Sequence, residues 1–408
     1  MLTHYKVKTP FYFVDFDILA KRYSYLKQAF SRTAGETLIA YSYKTNYLPS
    51  ICDFLSRLGS LSEVVSGLEM KIAKRLGIPG SKMIFNGPVK TEAEIREASR
   101  LRLMLVNLDS FNELKILERN RINGQKINLG VRLSFAPTDH RDESRFGFSV
   151  DDGSALKVCR RVARTRGFKL RALHFHLGSV TTELSRFTEA IEQSIGLMRD
   201  IEDYAGTKIE YLDVGGGFAL ETTPPLLQET HYPTLDAYAQ TIGRAIAKSA
   251  RIHGVEVPIL IVEPGRALVG PAVQLVSRII SCKQKRNARY LVVDAGTNLV
   301  PSCTYLRHQI RLVGREGLRR MYCVTGPLCM ESDVLSPAAA LPRVKEGDII
   351  AIEDVGAYSI TFSSQFMRPR PAAFGLVDGK LVCLAREEIE EDIIRRMSFR
   401  RMKATSAH

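Results

Sequence analysis

The chain has 408 residues, with 58 lysines and arginines against 44 aspartates and glutamates, and it is 45% hydrophobic, which excludes disorder for most of its length. No apolar run reaches the roughly 18 residues of a membrane span, Met1 to Val14 lacks the profile of a secretory signal, and the seven scattered cysteines form no CxxC pair, so a cytoplasmic, reducing setting is expected. The net charge of +14 is spread out, and its densest pieces, at 283–286 and 395–403, match no nucleic-acid motif, so it reads as a solvated basic surface.

Phe11 to Val14 reads as an isolated strand. From residue 37 an alternation sets in. Thr37 to Tyr43 is a strand and Leu48 to Leu58 a helix; Leu61 to Val65 is a strand and Leu68 to Arg75 a helix. Lys82 to Phe85, Leu103 to Val106 and Lys126 to Leu133 read as the next strands, with helices at Glu92 to Arg100, after the Asp109-Ser110 cap, and near Gly153 to Arg164. Lys169 to Phe175, Ile209 to Asp213 and Val257 to Val262 complete the set, separated by helices at Leu184 to Tyr204 and Leu235 to Arg251. Eight strand–helix units in about 230 residues are the number that closes a (β/α)8 barrel. An open doubly wound sheet is the rival, but its GxGxxG fingerprint is absent after the first strand. Past residue 275 helix signals fade and strands follow one another: Val273 to Cys282, Arg289 to Asp294, Met321 to Thr325, Asp348 to Glu353 and Ala373 to Cys383. The expected organisation is an α/β TIM barrel over 35–275, a mainly-β domain over 276–385 joined by the strand at 8–15, and a charged tail over 386–408.

In such a barrel, chemistry gathers at the C-terminal ends of the strands. Those ends carry Lys44, Ser66-Gly67, Asn86, Asn107 and Asp109, Arg132, His174 to Ser179, Asp213 to Gly217, and Glu263 to Arg266, with Glu63 inside the second strand. Gly215, Gly216 and Gly217 can bring three backbone N–H groups onto an anion, and Gly265 with Arg266 adds an amide and a guanidinium. Lys44 leaves an apolar strand, where desolvation lowers a lysine's pKa and suits it to Schiff-base chemistry. Glu263 follows the apolar Ile259 to Val262 and needs a cationic partner, which a pyridinium nitrogen supplies. His176 is placed to stack on a flat ring. Together these groups describe a pyridoxal phosphate site. A metal site is not expected, since His174 and His176 alone fall short of a ligand set.

The ordered segments Tyr41-Ser-Tyr-Lys-Thr-Asn46, Glu63-Val-Val-Ser-Gly67, Asn86-Gly-Pro-Val-Lys-Thr91, His174-Phe-His-Leu-Gly-Ser179, Asp213-Val-Gly-Gly-Gly217, Glu263-Pro-Gly-Arg266, Gly326-Pro-Leu-Cys329 and Gly356-Ala-Tyr358 resemble the fold-type III, alanine racemase-like pyridoxal-phosphate decarboxylases, the diaminopimelate and ornithine group, from about residue 9 to 380. The resemblance implies that Lys44 carries the cofactor, Glu263 holds its ring nitrogen and His176 stacks on it. It places Ser179, Gly215 to Gly217, Gly265, Arg266 and Tyr358 around the phosphate. It makes Cys329 a catalytic group lent by a second subunit, hence a homodimer with shared sites acting on a small amino-acid substrate. Arg266, Tyr305, Glu331 and Asp333 are the candidate substrate contacts.

Two departures touch the distal end of the substrate. Met330 stands directly after Cys329 where diaminopimelate decarboxylases have a glutamate, and Ser302 stands in a stretch where they carry an arginine. With the segment Gly356 to Pro371, these point to a specialised amino acid or conjugate, such as a citrate-type siderophore precursor, with diaminopimelate as the alternative. Arg307, His308, Arg368 and Arg370 are the candidates for replacement contacts. A racemase is disfavoured by Glu263, and a non-catalytic cofactor carrier by the second domain.

Overall fold

The computed structural model describes residues 7–121, 124–136, 144–224, 232–286 and 288–400. Its first element after the N-terminal strand is one the sequence pattern above did not single out: a helix, Phe16–Ala34. The signals for it were present. Asp15 caps its first turn by accepting from the Ile18 N–H, and Leu19, Tyr23, Leu26 and Phe30 fall at spacings of three and four and are buried. It packs along the helix Leu235–His253, where a Cβ at Gly243 would lie 2.3 Å from the Thr33 carbonyl.

Eight parallel strands then close on themselves. They are Thr37–Ser42, Leu61–Val64, Met83–Phe85, Leu105–Leu108, Ile127–Ser134, Phe168–His174, Tyr211–Asp213 and Ile259–Val262. The first pairs with the eighth, Ile39 opposite Val262, and the fourth pairs with the fifth, Val106 opposite Leu129. The barrel expected from the alternation is therefore the one found. The fourth strand is shifted two residues later than its pattern, because the preceding helix ends in a left-handed residue, Arg102, and Leu103-Met104 complete the turn; the seventh and eighth begin two residues later and end as expected. Ser66, Thr91 and Ser110 cap the helices that follow the second, third and fourth strands. Each cap sits just beyond a strand's C-terminal end, which fixes the loops at the barrel mouth.

Beyond the barrel lies a second sheet, of nine strands among the described residues. The N-terminal strand Phe11–Val14 sits at its centre, antiparallel to Val273–Lys285 and parallel to Ala372–Val377. The stretch read as one strand from Ala373 to Cys383 is a hairpin, Ala372–Val377 and Lys380–Ala385, turned at Asp378, whose φ is 51°, and Gly379. Two strands lacked a clear pattern, Ile310–Leu312 and Val334–Leu341. The second contains Pro337, which is tolerated because this strand lies at the sheet edge. The charged tail forms a short helix, Glu390–Ile394, and residues 401–408 lie outside the described set. No helix among the described residues is long and apolar enough to cross a membrane.

Candidate active site

Lys44 sits on a 3-10 turn, Tyr43–Thr45, that bends the chain inward at the end of the first barrel strand. Its Nζ lies 3.0 and 3.2 Å from the two carboxylate oxygens of Glu63 on the neighbouring strand. Glu63 is fully buried and also accepts from the Ser42 hydroxyl and, at 3.0 Å, from the Asn86 amide. A lowered lysine pKa was expected from burial alone. Burial does push that way, but Glu63 and Glu263 outweigh it, and the Lys44 ammonium is held above its usual range.

Glu263 follows the eighth strand and is 3% exposed. It accepts from the same Asn86 Nδ2 that reaches Glu63, and His174 Nε2 stands 3.7 Å from its other oxygen. Asp213 is its neighbour: donor atoms of His174, Asp213 and Glu263 all lie within 4.8 Å of one another. Two buried carboxyls this close do not both ionise. Burial and the Glu263 charge raise Asp213 well above the carboxylate range, so Asp213 keeps the proton. Burial opposes the Glu263 charge, but His174 and Lys44 overcome it, and Glu263 is the anion of the pair. A buried anion at this place is what a protonated ring nitrogen needs.

His176 lies in the loop past the sixth strand. Its Nδ1 accepts from the Gly216 N–H at 3.1 Å, and burial, then the Lys44 charge, pushes its pKa down to about 3, so the ring is neutral. The glycine run is less free than the sequence suggested. The Gly215 N–H is spent on Asp213 at 3.0 Å and the Gly216 N–H on His176, which leaves Gly217 as the candidate anion-binding amide of the three. The glycines are nevertheless required by close approach. A Cβ at Gly216 would lie 2.4 Å from the Glu263 carbonyl, and one at Gly265 would lie 2.2 Å from Thr45 Oγ1.

Around that end, several buried polar atoms have no protein partner: Thr45 Oγ1, Thr181 Oγ1, Ser359 Oγ and Arg266 Nε. Three hydroxyls and one guanidinium nitrogen, Arg266 Nε, left unpaired in the interior are costly unless something fills the space between them. All can donate, so an anion fits, and pyridoxal phosphate satisfies both ends of the site. Arg266 is itself 6% exposed, lies 5.4 Å from the Tyr358 ring and touches the Tyr305 hydroxyl at 3.4 Å. Tyr358 belongs to the second sheet's side of the molecule and reaches the barrel through its N–H, which donates to the Thr45 carbonyl at 2.9 Å. Asn46 adds a hydrogen bond to the Gly356 carbonyl at 3.0 Å. The segment 356–361 thus closes over the Lys44 turn.

The remaining predicted residues are more scattered. Ser179 is exposed at the rim. Cys329, Met330 and Glu331 are exposed on a loop of the second sheet, where the Cys329 N–H meets Met367 Sδ at 3.3 Å. Asp333 does not face outward as a substrate contact should. It is 2% exposed and accepts from the N–H groups of Thr297 and Leu328 and from the Thr297 hydroxyl, which makes it the anchor of the Cys329 loop. His308 is likewise internal, tied to Ser302 at 2.8 Å and to the Glu353 carbonyl at 2.9 Å, and Arg370 is paired with Glu388. Neither is placed to replace the missing arginine. Arg368 is exposed. Sequence reading left Glu63, Asn86, Thr45, Thr181 and Ser359 without roles. Asn86 stood at a strand end and Glu63 inside the second strand, where a role was legible; the three hydroxyls had no sequence signal.

Residues 17–270 match the family of the pyridoxal-dependent decarboxylase, pyridoxal binding domain. A diaminopimelate decarboxylase of Helicobacter pylori strain J99 is 32% identical over 405 residues, covering 95% of each chain. One from Methanocaldococcus jannaschii is 30% identical over 406 residues, covering 95% of this chain and 91% of that one. Among solved structures, the diaminopimelate decarboxylase of M. jannaschii superposes with a TM-score of 0.89 at 28% identity, over 96% of this chain and 92% of that one. The Helicobacter pylori enzyme complexed with L-lysine gives 0.84 at 30% identity, over 97% and 98%. The chain therefore belongs to the fold-type III pyridoxal-dependent decarboxylases of the diaminopimelate and ornithine group, and it is a pyridoxal-phosphate-dependent amino-acid carboxy-lyase.

Proposed function

We propose that this enzyme is a diaminopimelate decarboxylase, removing one carboxylate of diaminopimelate to leave lysine and CO2. The observation that carries this reading is the end-to-end match to enzymes of that name, which spans both the barrel and the second sheet. The specialised conjugate expected from Met330 and Ser302 has no counterpart among these relatives. Ser302 lies on a 3-10 turn, Pro301–Thr304, and is buried against His308.

In this reading the residues divide the work. When bound, pyridoxal phosphate supplies the electron sink for the pair released as the Cα–carboxylate bond breaks. Lys44 would hold the cofactor through its amine. Glu263, ionised beside a protonated Asp213, would hold a proton on the ring nitrogen. His176, neutral in the fold, would add no charge beside the ring. Thr45, Thr181, Ser359, Gly217 and Arg266 would hold the phosphate. Cys329 delivers the proton to Cα. Its loop faces solvent together with Met330, Phe362, Phe366 and Met367, all exposed. An apolar rim around a reactive thiol suits a homodimer in which each copy completes the other's site. The test is CO2 release from meso-diaminopimelate by the cofactor-loaded protein, with lysine as the product. Release from citryl-diaminopropionate alone would replace this reading with the conjugate.

A further inference from the structure

We propose that Asn86 is a positioning residue that ties the Lys44–Glu63 ion pair to Glu263, so that the charge at the lysine and the charge offered to the ring nitrogen are set together. The proposal rests on the assignment of Lys44 and Glu263 to the cofactor. Its geometry is specific. A side-chain amide has two N–H bonds on one nitrogen. Asn86 Nδ2 donates to Glu63 Oε1 at 3.0 Å and to Glu263 Oε1, so both bonds are committed to carboxylates. Its oxygen accepts from Asn107 Nδ2 at 2.7 Å, which fixes which end of the amide faces the acids. Asn107 in turn has its place because residue 130 is glycine: a Cβ there would lie 1.9 Å from Asn107 Oδ1. Glu63 and Glu263 belong to the second strand and the end of the eighth, with the first strand between them, so no backbone ladder joins them. Asn86 does so from the third strand's end, and it stabilises two anions without adding a charge of its own.

The other titratable or charged groups facing this bridge are Lys44, Glu69, His174, His176, Asp213 and Tyr358. Hydrogen bonds to an ionised carboxylate favour the ionised form. Without Asn86, protonation of Glu263 becomes easier, so the anion offered to the ring nitrogen and the counter-charge near Lys44 are both weakened. The experiment records the visible absorption of the pyridoxal-phosphate-loaded protein against pH for wild type, Asn86→Leu, Asn107→Ala, Glu63→Gln and the double variant Asn86→Leu/Glu63→Gln. Asn86→Leu should move the midpoint of the spectral change by about one pH unit, the worth of one such hydrogen bond. Asn107→Ala, which leaves Asn86 in place but frees its amide, should move it in the same direction by less, and it decides the matter if Asn86→Leu does not fold. The double variant should shift by less than the sum of the single shifts, since both residues act on one network. Variants with wild-type midpoints and wild-type cofactor affinity, altered only in thermal unfolding, would overturn the proposal. A wild-type protein with no visible band at all would instead overturn the cofactor assignment, a separate outcome.

Discussion

The mouth of the barrel and the Cys329 loop are built on opposite plans. At the barrel mouth, Lys44, Glu63, Asn86 and Glu263 are joined into one network, Lys44 paired with Glu63 and Asn86 bridging to Glu263. On the second sheet, Asp333 secures the base of the loop, while its tip, Cys329 to Ser332, points to solvent. In the proposed function, the first region would hold the cofactor within one chain, and the second, anchored by Asp333 and exposed at its tip, would be offered to another copy.

The sharpest way to break this division is at Lys44. Lys44→Ala should remove the visible cofactor band and all CO2 release together, as read by spectroscopy and gas evolution on the same sample. A variant that kept full turnover would strip Lys44 of its role. Next comes Cys329→Ala, which should lower kcat by about 10²-fold, the usual worth of a positioned proton donor, while the cofactor band stays intact. Loss of the cofactor in that variant would erase the distinction between the two halves.

Smaller effects sharpen it. Asp333→Ala removes the acceptor of three hydrogen bonds and should cost about 3 kcal/mol of stability in denaturant unfolding, with kcat reduced and cofactor affinity unchanged. His176 gives a pH signature. In the unfolded chain its ring takes up a proton near pH 6.5, whereas in the fold it stays neutral down to about 3. The unfolded state therefore binds more protons in that window, and this contribution to stability, present above pH 6.5, is lost as pH falls towards 3. The Tm advantage of wild type over His176→Phe should shrink as pH drops from 7 to 5. A constant difference would mean that the ring titrates alike in both states.

The fold was largely legible because a barrel repeats its signal. Each strand is a short apolar run, and caps such as Ser66, Thr91 and Ser110 mark the helix starts. The helix Phe16–Ala34 was passed over only because it stands outside the repeat. Pro337 hid an edge strand. Within the site, Lys44, Glu263 and His176 stood out by type and place. What was not legible is who pairs with whom. The elevated charge state of Lys44 depends on Glu63, 19 positions away, and the protonated Asp213 depends on Glu263. Asp333 was read as a substrate contact because it follows the cysteine closely. Its partners at Thr297 lie 36 positions upstream, and no spacing rule connects them.

The most direct measurement of the central claim is a side-by-side assay of CO2 release by the pyridoxal-phosphate-loaded protein. The substrates are meso-diaminopimelate, ornithine, lysine, arginine and citryl-diaminopropionate. Turnover of meso-diaminopimelate to lysine, with the others slow or silent, is the predicted result. Silence on diaminopimelate with turnover of the conjugate would contradict it and make Met330 and Ser302 marks of a different substrate.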